Sequence, residues 1–300
     1  MTQRLTPTAI VLLTIPPLLW SGNAVVGRMV APLVSPMALN LLRWVIALVL
    51  LLFLAAPVLR RGSPLWSQWR RFAALSLFSI GGYNALLYLS LNTSTPINVT
   101  LVGASTPVWM LLIGRIFFHV PVSRRQVVGA VLSIAGVLLV LSRGQWELLL
   151  GLRLVAGDLY ILLASMSWAY YSWMLVHPTP GAAPLQTNWA GLLLGQVVFG
   201  LGWSALFASA EWALDATRFA WSWPLAAALV FIAAGPAVIA YGAWGAGVAR
   251  AGPAMAGFFI NLTPLFTAVL SAAFLGEAPQ AFHVLAFVLI VSGIVLSSRR

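Results

Sequence analysis

Apolar stretches of about twenty residues recur along the whole chain, separated by short polar or arginine-bearing segments. Ten are legible, near 7–30, 35–57, 71–92, 97–118, 124–142, 155–176, 185–208, 223–249, 253–276 and 280–298. Each is long enough to cross a ~30 Å hydrocarbon core as a helix. The runs are too long for strands and lack the alternation of a lipid-facing barrel. Helices, which satisfy their own backbone, are therefore predicted throughout. Pro16 and Pro17 interrupt the first run and no clean small-x-small pattern follows it, so a retained helix is expected rather than a cleaved leader.

Composition agrees with the pattern. Of 300 residues 61% are apolar and 7% charged, with mean hydropathy +0.98. A water-soluble fold of this length needs a far more polar surface. The formal net charge of +11 is arginine alone, since there is no lysine. The arginines cluster between apolar runs, where they signal lipid headgroups and topology rather than nucleic acid. With the N-terminus in the cytoplasm, Arg4, Arg60, Arg61, Arg70, Arg71, Arg124, Arg125, Arg250, Arg299 and Arg300 lie inside. Arg28, Arg143, Arg153 and Arg218 lie outside, and Arg43 and Arg115 fall within apolar runs. The acids Glu147, Asp158, Glu211, Asp215 and Glu277 all fall at or near outside ends. The positive-inside bias thus predicts a multi-pass membrane protein with both termini cytoplasmic. With no cysteine, and with His119, His177 and His283 far apart, neither a metal site nor a cofactor is expected.

The chain also matches itself. An offset of 148 superposes Trp20 on Trp168, Pro32 on Pro180, Pro36 on Pro184 and Asn40 on Asn188. An offset of 157 superposes Pro96 on Pro253, Thr106 on Thr263, Pro107 on Pro264, Phe117 on Phe274, Val131 on Val288, Leu132 on Leu289 and Gly136 on Gly293. The nine-residue change fits a longer connection around Glu211 to Trp221. Two repeats, 1–148 and 149–300, then hold five helices each. Five is odd, so the second copy enters the membrane upside down. Inverted repeats place a substrate site near the mid-plane and expose it alternately to each side.

The block from Asn261-Leu-Thr-Pro264 through Gly276-Glu277 to Gly293-Ile-Val-Leu296 resembles the EamA-type repeat of the drug/metabolite transporter superfamily. Pro36 with Leu42-Arg43 is similar to its second helix, and Trp20-Ser21-Gly22 to its first. The first copy departs at His119-Val120, opposite Gly276-Glu277, and the second carries Gly191 opposite Arg43. Within that superfamily, Tyr83-Asn84 through Ser90-Leu91 and Trp168-Ala-Tyr-Tyr171 look most like the ten-helix bacterial exporters of aromatic and other amphipathic amino acids. The resemblance implies a basket with a central cavity lined by the first, third, fourth, sixth, eighth and ninth helices, with the fifth and tenth at the periphery.

Candidate site residues share helical faces at mid-depth. Pro16, Trp20 and Asn23 recur at i, i+4 and i+7, as do Ala164, Trp168 and Tyr171 in the second copy. Tyr83, Asn84 and Tyr88, then Tyr241 and Trp244, add hydroxyl, amide and indole donors; Thr100, Ser105, Phe258 and Asn261 complete the set. Each has a plainer reading: the aromatics as packing, and Asn84, Asn98 and Asn261 as bonds between neighbouring helices. Pro107 and Pro264 each free a carbonyl one turn earlier, near Gly103 and Ile260, as hinge or acceptor. Gly103 and Gly257 mark cavity wall or close helix contact. Arg43, eight residues into its helix, either reaches the outer interface or a carbonyl or serves function.

No aspartate or glutamate lies at mid-membrane, so carboxylate-driven proton coupling and recognition of a cationic substrate are both disfavoured. The expected function is export of a zwitterionic amino acid, aromatic or otherwise neutral, by facilitated alternating access. A carrier of another small metabolite or a drug keeps the fold. Intramembrane proteolysis would have only Gly103-Ala104-Ser105 with His283 to draw on, so no enzyme is expected. A monomer in the lipid bilayer is expected, and the resemblance implies the bacterial inner membrane.

Overall fold

The computed structural model describes residues 5–94, 96–145, 147–151, 153, 155–177, 188–214, 218–275 and 280–298. Arg4, Pro180, Pro184, Asp215, Gly276, Glu277, Arg299 and Arg300 fall outside them. The described chain is helical, with one isolated antiparallel bridge between Val34 and Phe219. Helix α1 is Pro7–Val30 and α2 is Pro36–Ala55. α3 runs through Trp69–Ser76, a π-turn at Leu77–Gly81, and Gly82–Thr93. α4 has two segments, Pro96–Gly103 and Thr106–Phe117, and α5 is Arg124–Leu141. α6 is Ala156–Val176 and α7 is Trp189–Ala213. α8 comprises Trp223–Ile232, a π-turn at Ala233–Ile239, and Ala240–Ala251. α9 has segments Pro253–Ile260 and Thr263–Leu275, and α10 is Ala281–Ser298.

Nine helical stretches among the described residues are long and apolar enough to cross a membrane. The stretch expected as the third span is helical too, but it opens with Arg70 and Arg71, contains the π-turn, and is not among the nine.

Local chemistry sets the helix starts. Proline stands first in α1, α2, α4 and α9, where its missing N–H costs nothing and its fixed φ suits the helix. Ser123 and Gln126 form a reciprocal capping box at α5: Gln126 N donates to Ser123 Oγ (3.2 Å), and Ser123 N donates to Gln126 Oε1 (2.9 Å). Glu211 lies in the last turn of α7 rather than in a loop, because α7 runs on to Ala213. Its carboxylate accepts from Ser35 Oγ (2.6 Å), Met37 N (3.2 Å) and Ala38 N (3.1 Å), placing a negative charge on the donor end of α2. Beside it Ser35 N donates to Arg218 O (2.9 Å) and Ala220 N to Leu33 O (2.7 Å). Asp158, buried in the first turn of α6, accepts from Ser94 Oγ and from Val155 N (2.9 Å).

Packing follows a reciprocal scheme. α1 lies against the last segment of α8, and α6 against the last segment of α3. α1 also meets the second segment of α9, and α6 the second segment of α4. Exchanging the two halves of the chain converts each of these pairings into its counterpart. α2 packs on α7, and α5 on α10. The last pair meets backbone to backbone: a Cβ on Gly293 would stand 2.5 Å from Gly129 O, and one on Gly136 would stand 2.9 Å from Ala286 O. Val127, Val128 and Val131 on α5, and Val284, Phe287 and Val288 on α10, remain exposed on the outer faces.

Candidate functional site

Six of the expected site residues come together as one aromatic cluster where α1, α3, α6 and α8 meet. Trp168 is its hub. Its ring lies 5.2 Å from Trp20, 5.2 Å from Tyr83, 5.0 Å from Tyr171, 5.3 Å from Tyr241 and 5.5 Å from Trp244, centroid to centroid. The contacts with Trp20 and Tyr241 are edge to face, at 86° and 85°, the arrangement that ring quadrupoles favour. Trp168, Tyr171, Tyr241 and Trp244 are buried and Trp20 and Tyr83 are half-buried, so the rings fill the space between their helices.

Most of the polar handles in the cluster are bonded. Trp244 Nε1 donates to Ser172 Oγ (3.1 Å), which donates to Trp168 O (2.8 Å). Trp20 Nε1 donates to Pro236 O (3.3 Å), inside the π-turn of α8. In the other half, Ser167 Oγ donates to Phe78 O (2.8 Å), inside the π-turn of α3. At the offset of 157, Leu77–Gly81 falls within Ala233–Ile239, so each half carries a π-turn at a matching place. Each turn receives a side-chain donor from the first helix of the other half. A π-turn inserts a residue and withdraws carbonyls from the i→i−4 ladder, and such turns concentrate at functional sites. Two polar atoms in this region are left over: Trp168 Nε1 and Gln196 Oε1 are buried with no hydrogen-bond partner among the described residues.

The remaining candidates divide. Phe258 is fully buried in the same apolar core. Asn261 Nδ2 donates to Ser133 Oγ (2.9 Å) and Ala104 O (3.3 Å), tying α9 to α4 and α5 in its plainer role. Among the described residues Asn84 bonds within its own helix: its Nδ2 donates to Ile80 O (2.8 Å) and Ser79 O (3.4 Å), carbonyls of its own π-turn. Ser105 Oγ accepts from Trp109 Nε1 (3.0 Å) within α4. Thr100 and Asn23 are half-buried. The side chains of Tyr88 and Asn98 lie outside the described residues.

Both expected breaks are present. α4 is interrupted at 104–105 and α9 at 261–262, the same place at the offset of 157, with Pro107 and Pro264 second in the segments that follow. The Gly103 carbonyl accepts from Thr106 Oγ1 (2.6 Å). The two glycines differ. A Cβ on Gly257 would come within 2.6 Å of Met110 Cγ, a close α9–α4 contact, whereas among the described residues nothing lies within 4 Å of a Cβ on Gly103. Arg43 is buried, its guanidinium carbon 5.2 Å from the Trp44 ring centre, and its Nε has no hydrogen-bond partner among the described residues.

Trp44, Ser167, Pro236 and Gln196 were not singled out from sequence. Trp44 extends the cluster, 5.1 Å from Tyr241. Gln196 could have been found, because an amide in the middle of an apolar run is costly without a partner.

Comparison with known proteins agrees with this architecture. The model of the EamA-like transporter family matches two stretches, residues 7–142 and 155–299. An uncharacterized transporter of Bacillus subtilis, YyaM, is 28% identical over 228 residues, covering 76% of this chain and 72% of that protein. An uncharacterized transporter of Archaeoglobus fulgidus is 24% identical over 291 residues, 96% of each. One solved crystal structure superposes with a TM-score of 0.73 at 21% identity, over 96% of this chain and 95% of that one, a likeness of fold.

Proposed function

We propose, from the premise that this chain belongs to the EamA-like transporter family, that it exports neutral and aromatic amino acids across the inner membrane by alternating access. The reading comprises ten spans in two inverted five-helix repeats, both termini in the cytoplasm, and a monomeric carrier. The observation that carries it is the contact between Trp20 and Trp168, residues matched at the offset of 148, within a cage completed by Tyr83, Tyr171, Tyr241 and Trp244. Such a cage suits an amphipathic solute. Ring faces take up an apolar side chain and attract an ammonium, while indole N–H groups donate to a carboxylate. The two orphaned polar atoms beside it, Trp168 Nε1 and Gln196 Oε1, supply one donor and one acceptor. In the described conformation the rings touch one another, so a solute enters only as they part.

The test is flux. Purified protein in liposomes preloaded with radiolabelled phenylalanine or threonine should release them, at a rate indifferent to an imposed pH gradient. No release of any amino acid tested overturns the reading, and release of a different metabolite or drug alone replaces the substrate. The inverted arrangement has its own test. Single cysteines at the exposed positions Arg61 and Trp221, in matching connections of the two halves, should label from opposite sides of the membrane.

A further inference from the structure

A groove of about 500 Å³ runs between the second segment of α4 and the first half of α5, away from the aromatic cluster. Its walls are Val108, Leu111 and Leu112 on one side and Val127, Val131 and Ile134 on the other, and it is closed at one end by Pro121 and Val122 in the connecting turn. From Val127 to Ile134 it follows the helix for about 10 Å. Leu112, Val127 and Val131 are exposed, so the groove opens on the outer face of the bundle, where the surrounding medium is lipid.

The one charged residue lining it is Arg115, exposed in the last turn of α4 and making no hydrogen bond or ion pair among the described residues. Arg124 and Arg125 open α5 across the turn. Cations at the first turn of a helix run against its dipole, so this end of α5 gains from a nearby anion. An apolar trough leading to a guanidinium matches a molecule with an acyl chain and an anionic phosphate, and guanidinium is the side chain best shaped for phosphate. Basic pockets between membrane helices recognise phospholipid headgroups in this way.

We infer that the α4–α5 groove is a binding site for an anionic phospholipid, with an acyl chain along Val108, Leu112, Val127 and Val131 and the phosphate on Arg115, in the positive field of the α5 N-terminus that Arg124 opens. The site rests on membrane residence and not on the transported substrate.

Native mass spectrometry of the intact protein, titrated with phosphatidylglycerol or phosphatidylcholine, tests it. Phosphatidylglycerol should bind more tightly. Arg115→Gln should weaken that binding about fivefold and weaken phosphatidylcholine, whose choline offsets the charge of its phosphate, by less. Val131→Trp fills the trough from an exposed position and should weaken both lipids. Arg250→Gln, at the end of α8, should change neither. Equal affinity for the two lipids, an Arg115→Gln protein that binds like the wild type, or an equal loss in Arg250→Gln each overturns the site. So does full displacement by millimolar glycerol phosphate, which would identify a bare ion site. Thermal unfolding of each variant in detergent separates loss of the site from loss of the fold.

Discussion

The indole of Trp20 meets the indole of Trp168 edge to face, 5.2 Å between centroids and 86° between planes. The two residues hold the same place in the two halves of the chain, at the offset of 148. Trp168→Phe keeps an aromatic ring but removes the pyrrole part of the indole with the orphaned Nε1, so it should insert like the wild type and melt somewhat lower while changing the rate or preference of amino acid release. Tyr83→Phe should act in the same direction. Trp168→Ala, which leaves a hole in the cluster, should also lose thermal stability, by an amount on the order of 3–5 kcal/mol for a fully packed tryptophan. Unaltered release of every amino acid by all three would remove these rings from the path.

The cross-half bonds to the π-turns can be removed one at a time. Ser167→Ala removes the donor to Phe78 O and should cost about 0.6 kcal/mol, the average for a side-chain bond between membrane helices. Trp20→Phe removes the donor to Pro236 O together with part of a packed ring, so it should cost more. Pro236→Ala restores an N–H to the π-turn of α8. It should raise thermal stability and slow release, readouts that move in opposite directions only if the irregular turn serves transport.

At the α5–α10 seam, Gly129→Val or Gly293→Val should lower the melting temperature sharply, because the added carbons meet backbone and Ser297 rather than pliable chain ends. Gly257→Leu should be destabilising against Met110. Gly103→Leu has room, so it should fold, and its release rate then reports whether that space is on the route. Melting in detergent, followed by tryptophan fluorescence, checks all four.

His119 follows α4 with φ +57°, a left-handed conformation that strains a residue bearing a Cβ. Val120 N donates to Gly114 O (3.0 Å) across this turn, which holds the strain in place. His119→Gly should stabilise by about 1 kcal/mol and His119→Val should destabilise by at least as much, measured as shifts in the chemical unfolding midpoint.

Much of the fold was legible because its punctuation is chemical. Prolines at 7, 36, 96 and 253 open helices, and those at 107 and 264 mark the breaks in α4 and α9. Of the six rings of the cluster, Trp20, Trp168 and Tyr171 were readable from spacing, since i, i+4 and i+7 share a face, whereas Tyr83, Tyr241 and Trp244 were picked by depth on helices that the resemblance placed around a cavity. The π-turns at Leu77–Gly81 and Ala233–Ile239 were not readable, because the apolar runs continue through them and only Ser79 and Gly81, and Gly235 and Pro236, punctuate them. Missing them concealed Ser167 and Pro236 as bonding partners and gave Asn84 the wrong ones. Glu211 was misplaced for a related reason. The longer connection expected there is partly extra helix, and apolar residues on both sides hide where a helix stops.

Where residues 33–35 lie against 218–220, two backbone bonds and the Glu211 carboxylate bind the first half of the chain to the second along one rim. A bound volume opens away from its spine. Probes meant to catch the carrier in motion belong on the far margin, since pairs set beside this binding will read a constant distance whatever the molecule is doing.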